Sequence, residues 1–275
     1  MRTLVALCLL ALPAPALARQ ENPGGAIATD PEPPAERREL STDRPDKTES
    51  PYTVDKGRFQ FEMDVATYSR DQDDGVRTEN YALAPVNLKY GIGRDTDLQL
   101  IVEPYRRERV SDRRLGTLDT IDGFGDVVVR LKHNLWGNDG GQTALGVMPF
   151  AKLPTNSGDL GAGRVEFGVI VPLAIELSDR IGVGLMTEVD MVENDDASGY
   201  RLNLVNSATF GFELTDKLGV YTELFTERGS DWIVTGDVGV TYALSDYTQI
   251  DMGANVGATR AADDLEIFFG VSRRF

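Results

Sequence analysis

From Gly57 to Phe275 hydrophobic residues recur at every second position, the period of a half-buried strand. Phe59, Phe61, Met63 and Val65 alternate with Gln60, Glu62, Asp64 and Ala66. Val165, Phe167, Val169, Val171, Leu173 and Ile175 share one face, with Glu166, Gly168 and Glu176 on the other. Leu265, Ile267, Phe269 and Val271 close the series. The pattern predicts twelve strands: 57–70, 79–91, 97–107, 124–136, 142–153, 164–177, 181–193, 200–214, 218–227, 232–244, 248–259 and 265–275. Strands of about 10–13 residues are long enough to cross a bilayer when tilted.

The connections alternate in kind. Gly91–Asp97, Gly137–Gly141, Ser178–Arg180, Thr215–Lys217 and Ser245–Tyr247 read as short turns. Asp71–Arg77, Arg106–Gly123, Pro154–Gly163, Glu193–Ser198 and Ala261–Asp264 are charged and often longer, whereas Gly229–Asp231 is short. Short turns on one rim and variable loops on the other suit an all-β transmembrane antiparallel up-and-down barrel of about twelve strands. A soluble sandwich or lipocalin-like barrel also alternates, but its strands are commonly shorter and its apolar faces point inward. Pro85, Pro104, Pro149 and Pro172 fall inside strands, where a missing donor needs a bulge or a strand end. Phe59, Tyr90, Trp136, Phe150, Trp232 and Phe275 lie near strand ends and suit interfacial girdles.

Residues 1–18 read as a cleavable export signal: Arg2, an apolar run from Leu4 to Leu12, then Ala16-Leu17-Ala18. This predicts export from a Gram-negative cytoplasm to the cell outer membrane. Residues 19–56 hold six of the 13 prolines and no apolar period, so they read as a polar N-terminal arm. The barrel would occupy 57–275. The arm either tethers the barrel on the periplasmic side or folds back into the pore, with Arg44 and Asp46 as polar contacts.

Composition then narrows the chemistry. The net charge of -16 disfavours a nucleic-acid partner. One Cys and one His cannot build a Cys/His zinc site, and no cofactor motif is complete. The single His133 falls on the lipid-facing parity, which leaves no catalytic residue to name. Glu188 and Asp190 could serve glycoside hydrolysis, but paired carboxylates in an acidic pore are ordinary lining. By parity the inward acids are Glu62, Asp64, Glu103, Asp126, Glu166, Glu176, Glu188, Asp190, Glu213, Glu223, Asp237, Asp251 and Glu266. The inward bases are Lys89, Arg130, Lys132 and Lys152. A water-filled lumen of this sign favours cations and predicts a passive small-solute channel. The same groups could instead hydrate and pair within a closed structural barrel, and a soluble periplasmic binding module is a further alternative. Arg130 and Lys132 are expected to meet acids such as Glu103 in a salt-bridged constriction. Acidic clusters at Asp71, Asp73 and Asp74, at Glu193, Asp195 and Asp196, and at Asp263 and Asp264 are solvated loop charge, or sites for divalent ions at the lipopolysaccharide surface. Expected partners are outer-membrane lipid and lipopolysaccharide, a small solute, and the barrel-assembly machinery through Phe275.

The run Thr42-Asp43-Arg44-Pro45-Asp46-Lys47-Thr48-Glu49-Ser50-Pro51-Tyr52-Thr53-Val54, followed by Gly57, Gln60 and Glu62, is distinctive. With Gly123-Phe124-Gly125-Asp126, Pro149-Phe150-Ala151-Lys152-Leu153-Pro154-Thr155 and the ending Gly270-Val271-Ser272-Arg273-Arg274-Phe275, it resembles the outer-membrane family of MetA-pathway of phenol degradation proteins. Arg273 departs from that pattern, where an aromatic or apolar residue often stands. The resemblance implies an outer-membrane barrel and, in some members, uptake of aromatic growth substrates.

Overall fold

A computed structural model describes residues 38–158, 160–194 and 196–275. The expected export signal, arm residues 19–37 and the loop acid Asp195 lie outside the described residues. Fifteen strands follow one another: β1 (Phe59–Asp73), β2 (Val76–Leu83), β3 (Val86–Gly91), β4 (Thr96–Val102), β5 (Tyr105–Asp112), β6 (Thr117–Gly123), β7 (Val127–Trp136), β8 (Thr143–Leu153), β9 (Glu166–Ser178), β10 (Ile181–Glu193), β11 (Tyr200–Glu213), β12 (Leu218–Arg228), β13 (Trp232–Ser245), β14 (Thr248–Gly257) and β15 (Leu265–Arg274). All pairings are antiparallel, and β15 pairs with β1, so the sheet closes. β1 pairs with both β2 and β3, which are therefore one barrel strand in two pieces. β4 with β5 and β6 with β7 are likewise single strands, giving a closed barrel of twelve.

The three interruptions form a row. They fall at Ala84-Pro85, at Glu103-Pro104 and at Phe124 to Asp126, beside a register shift in β1 between Asp64 and Ala66. Pro85 and Pro104 lack the N–H a ladder needs, so the strands break there. The cross-links that remain are irregular: Asp64 N donates to Pro85 O at 3.0 Å and Gly125 N to Glu103 O at 2.9 Å. Pro149 and Pro172 stay inside β8 and β9. The β7–β8 pairing lapses between Arg130–Phe150 and His133–Val147, next to Pro149, and resumes in the same register. The β8–β9 pairing likewise lapses between Leu145–Leu173 and Met148–Ile170, next to Pro172, without a change of register.

Two expected loops are shorter than the charge pattern implies. The stretch Arg106–Gly123 is a hairpin of β5 and β6, and Asp71–Arg77 is mostly strand around the turn Asp74-Gly75. Both turn residues have positive φ, 47° and 85°, the left-handed pair that an Asp-Gly hairpin supplies at low cost. These segments project beyond the row of interruptions, to headgroup height and above, so neither face is held against hydrocarbon and no apolar alternation marks them.

The barrel is turned inside out relative to a soluble one. Leu224 is 56% exposed while its neighbour Glu223 is 4% exposed. Leu98, Leu100, Val129, Leu131, Val238, Met252, Ile267 and Phe269 continue the exposed apolar band. Buried polar side chains such as Gln60, Glu62, Lys89, Gln99, Lys132 and Asp251 line the other face. Such a surface is stable only where lipid covers it. Phe59, Tyr90, Trp136, Trp232 and Phe275 are exposed near the rims, and Phe59 and Phe275 lie 6.0 Å apart across the seam. Phe150 corrects its girdle assignment: it shares the face of its partner Arg130 and packs inward against Met148, Ile170, Met186 and Val205.

Candidate functional site

Residues 38–56 carry no strand or helix, yet they bond to most strands of the barrel. Gln60 of β1 donates to Ser41 O at 2.8 Å. Asp43 meets Lys89 of β3 and Lys132 of β7, and its N–H donates to Glu62 Oε2 at 2.9 Å. Arg44 forms ion pairs of 2.6 Å with both Asp64 of β1 and Asp251 of β14. The Lys47 and Thr48 N–H groups donate to the Glu223 carboxylate of β12 at 2.9 and 2.8 Å. Lys47 Nζ reaches Thr235 at 3.1 Å and Asp237 at 3.4 Å on β13. Thr48 Oγ1 and Ser207 Oγ of β11 are 2.6 Å apart, and Glu49 pairs with Arg130 of β7. Asn134 of β7 donates to Pro51 O at 2.9 Å, and Val54 N donates to Asp97 Oδ2 of β4 at 2.9 Å. A segment tied to opposite walls of a closed barrel lies in its lumen. Side-chain carboxylates and amides replace the ladder as partners for its backbone, which is why so polar a segment is ordered without secondary structure.

The lumenal bases cluster on one wall, where Glu62 of β1 and Asp97 of β4 stand among them, and face a wall of acids. Lys89, Arg130 and Lys132 lie on β3 and β7, while Glu223, Asp237 and Asp251 lie on β12, β13 and β14. The arm matches both walls: Asp43 and Glu49 face the bases, and Arg44 and Lys47 face the acids. Within the arm, burial alone would raise the Asp43 carboxyl, but Lys132 and Lys89 outweigh it and hold the group far below the usual range.

Thirteen of the seventeen charged residues expected to face inward do different work in the structure. Glu62, Asp64, Lys89, Arg130, Lys132, Glu223, Asp237 and Asp251 hold the arm. Asp126 anchors the loop between β8 and β9 instead: its Oδ1 accepts from the N–H groups of Thr155 and Asn156 at 3.1 Å. Its Oδ2 accepts from Ala162 N at 2.7 Å. Lys152 bridges towards that loop through Glu166 at 3.0 Å. Glu188 and Asp190 sit together on β10, Asp190 opposite Asn203. The expected constriction of Arg130 and Lys132 with Glu103 is corrected, since their partners Glu49 and Asp43 come from the arm. Glu103 lies against Gly125, where a Cβ would meet its Oε2 at 2.0 Å. Of the two arm residues expected as contacts, Arg44 makes the two ion pairs above, and Asp46 faces Glu223 and Thr209.

Asp97 was missed, although it shares the parity of Gln99 between exposed Leu98 and Leu100. Asn134 and Asn138 were missed because uncharged amides carry no charge signal; Asn138 accepts from Thr53 N at 3.0 Å. His133 is exposed on the outer surface, its Nδ1 2.8 Å from Thr96 Oγ1.

Cavities lie along the arm, and two of them meet at it. One of about 460 Å³ lies towards the outer strand ends, lined by Ser69, Asn80, Glu103 and Arg106. Another of about 610 Å³ lies towards the short turns, lined by Glu176, Arg180 and Glu213. Pro45 and Asp46 line both, so this pair of residues is the partition between them.

The fold and this polar, plugged lumen define a β-barrel of the outer-membrane type. The chain belongs to the family described as "Putative MetA-pathway of phenol degradation", whose model matches residues 42–275. That span includes the arm from Thr42 onward as well as every strand. No curated protein matches the chain in sequence. The NanC porin is similar in structure, at 10% identity and a TM-score of 0.51, with 77% of this chain and 98% of the porin covered. Looser likenesses are the NalP autotransporter translocator domain of Neisseria meningitidis and the toluene transporter TbuX of Ralstonia pickettii. The first has 12% identity, a TM-score of 0.49, and coverage of 80% and 88%. The second has 10% identity, a TM-score of 0.44, and coverage of 81% and 90%.

Proposed function

We propose that the chain is an outer-membrane channel for small solutes, with its own N-terminal arm as a resident plug. The observation that carries this reading is the pair of cavities on either side of Pro45 and Asp46. Eight strands enclose just enough space for side chains, whereas twelve leave a lumen, and here the arm takes that space. With the arm docked, its Arg44 and Lys47 offset part of the wall's negative charge. With the arm displaced, Asp64, Glu223, Asp237 and Asp251 face water and favour cations. The solute class is small and partly aromatic. The family description supports it, as does the apolar inner patch of Met148, Ile170, Met186 and Val205 with Phe150 and Phe225.

Planar-bilayer recording in a salt gradient tests the lumen's sign. The reversal potential is expected to favour cations, and more strongly once the arm is removed. An anion-selective pore would contradict the reading. No conductance in either form would instead favour a closed structural barrel.

A pH dependence follows from Asp46. Burial, reinforced by Glu223, pushes its carboxyl from 3.8 up to about 8. A group that keeps its proton longer when docked stabilises docking fully below the undocked value, and loses that contribution as pH rises through about 8. The open probability of the full-length protein should therefore rise relative to Asp46→Asn between pH 5 and pH 9. A ratio of the two that stays flat across this window would count against the assignment.

A further inference from the structure

Most of the barrel's outward face is apolar, but its outer rim over β1, β2 and β5 is basic. Tyr68 and Arg70 stand opposite Ile267 and Leu265 of β15, on the face that carries the exposed band. The register carries this face sideways: Tyr81 and Glu79 oppose Tyr68 and Arg70, and Arg107 and Arg109 oppose Tyr81 and Glu79. Arg77 shares it two residues from Glu79. Four arginines thus meet two acids, Glu79 and Asp122, on the lipid side of the wall, where they cannot serve the lumen.

The acids do not satisfy them. Glu79 Oε1 already accepts from Arg77 at 2.6 Å and from the Tyr68 hydroxyl at 3.0 Å. Arg107 reaches Asp122 only at 3.6 Å. Among the described residues Arg70 and Arg109 have no ion pair, and the Nε atoms of Arg70 and Arg77 are shielded from solvent without an acceptor. Just beneath lie the rings of Tyr68 and Tyr81, 5.0 Å apart, with Leu83 exposed beside them. Tyrosines over an apolar band mark the membrane interface, so the guanidinium groups sit at headgroup height.

We propose that this patch is a binding site for the phosphate groups of an outer-leaflet glycolipid. Arg70 and Arg109 supply the free charge, and Arg77 and Arg107 flank them. A planar guanidinium matches a phosphate with two parallel hydrogen bonds, and two free arginines suit a headgroup carrying more than one phosphate. The occupant is a lipid because the patch continues directly into the tyrosine and leucine surface that acyl chains would cover.

Native mass spectrometry of the full-length barrel in detergent tests this with three probes: bisphosphorylated lipid A, the same lipid dephosphorylated, and inorganic phosphate. Bisphosphorylated lipid A is expected to stay bound and the dephosphorylated lipid to be lost. The double variant Arg70→Gln/Arg109→Gln should weaken retention about 25-fold, at roughly fivefold per charge removed near an anionic surface. Its folding is checked by heat-modifiable gel mobility. Should the variant fail to fold, the comparison of the two lipids on the unaltered protein still decides. Equal retention of the dephosphorylated lipid overturns the proposal. So does unchanged binding to the folded variant, or displacement by millimolar inorganic phosphate, which would mark a free-anion site.

Discussion

Removing residues 38–54 is expected to raise single-channel conductance by at least about fivefold while leaving the barrel folded. The segment is tied to β1, β3, β4, β7, β11, β12, β13 and β14, and it separates the two lumenal cavities. Its loss joins them into one water-filled path. The barrel itself is held by twelve-strand closure, which does not use the arm. Heat-modifiable mobility should persist in the truncated form, and the current steps should grow. Folded, truncated protein with unaltered steps would show that the arm does not limit the pore.

The second large effect concerns Asp43. This carboxylate is shared by Lys89 and Lys132, which are 2% and 1% exposed. Asp43→Ala leaves two buried cations with Glu62 and Asp97 as the remaining acids nearby. Lys89 keeps its ion pair with Glu62, so Lys132 is the cation left without one; breaking a buried pair by removing one partner costs about 3–5 kcal/mol. The cost falls on the docked arm alone, so the docking equilibrium shifts by roughly two to nearly four orders of magnitude. The released arm should become sensitive to trypsin after Lys47, and open probability should rise. Adding Lys132→Met removes the stranded charge and should restore part of the protection. Equal protease resistance in all three proteins would mean that the cluster contributes nothing to docking.

The two levels of structure differed in how far the residues announced them. The alternation of Phe59 to Val65 or Leu265 to Val271 is imposed by lipid on one side and water on the other, so strand number and facing were readable. The β5–β6 hairpin was hidden for the same reason: Arg106 to Asp122 stand at headgroup height and above, outside the hydrocarbon, where neither face needs to be apolar. The arm was hidden more deeply. Asp43, Arg44, Lys47 and Glu49 look like a solvated charge run. Their partners are Lys89, Lys132, Asp64, Asp251, Asp237 and Arg130, scattered over nearly two hundred residues. A parity count gives the inward charges but not which wall carries them; only the register gathers the bases on β3 and β7, opposite the acids of β12 to β14.

The plug is tested most directly by locking it. Thr48 Oγ1 and Ser207 Oγ are 2.6 Å apart, so Thr48→Cys/Ser207→Cys places two thiols within bonding range. The only native cysteine, Cys8, lies in the expected export signal. Bilayer recording of one protein before and after reduction then compares a fixed arm with a free one. The oxidised form is expected to be silent or nearly so, with conductance steps appearing on reduction. Equal, non-zero conductance in both states of a verified cross-link would contradict a channel plugged by its own arm.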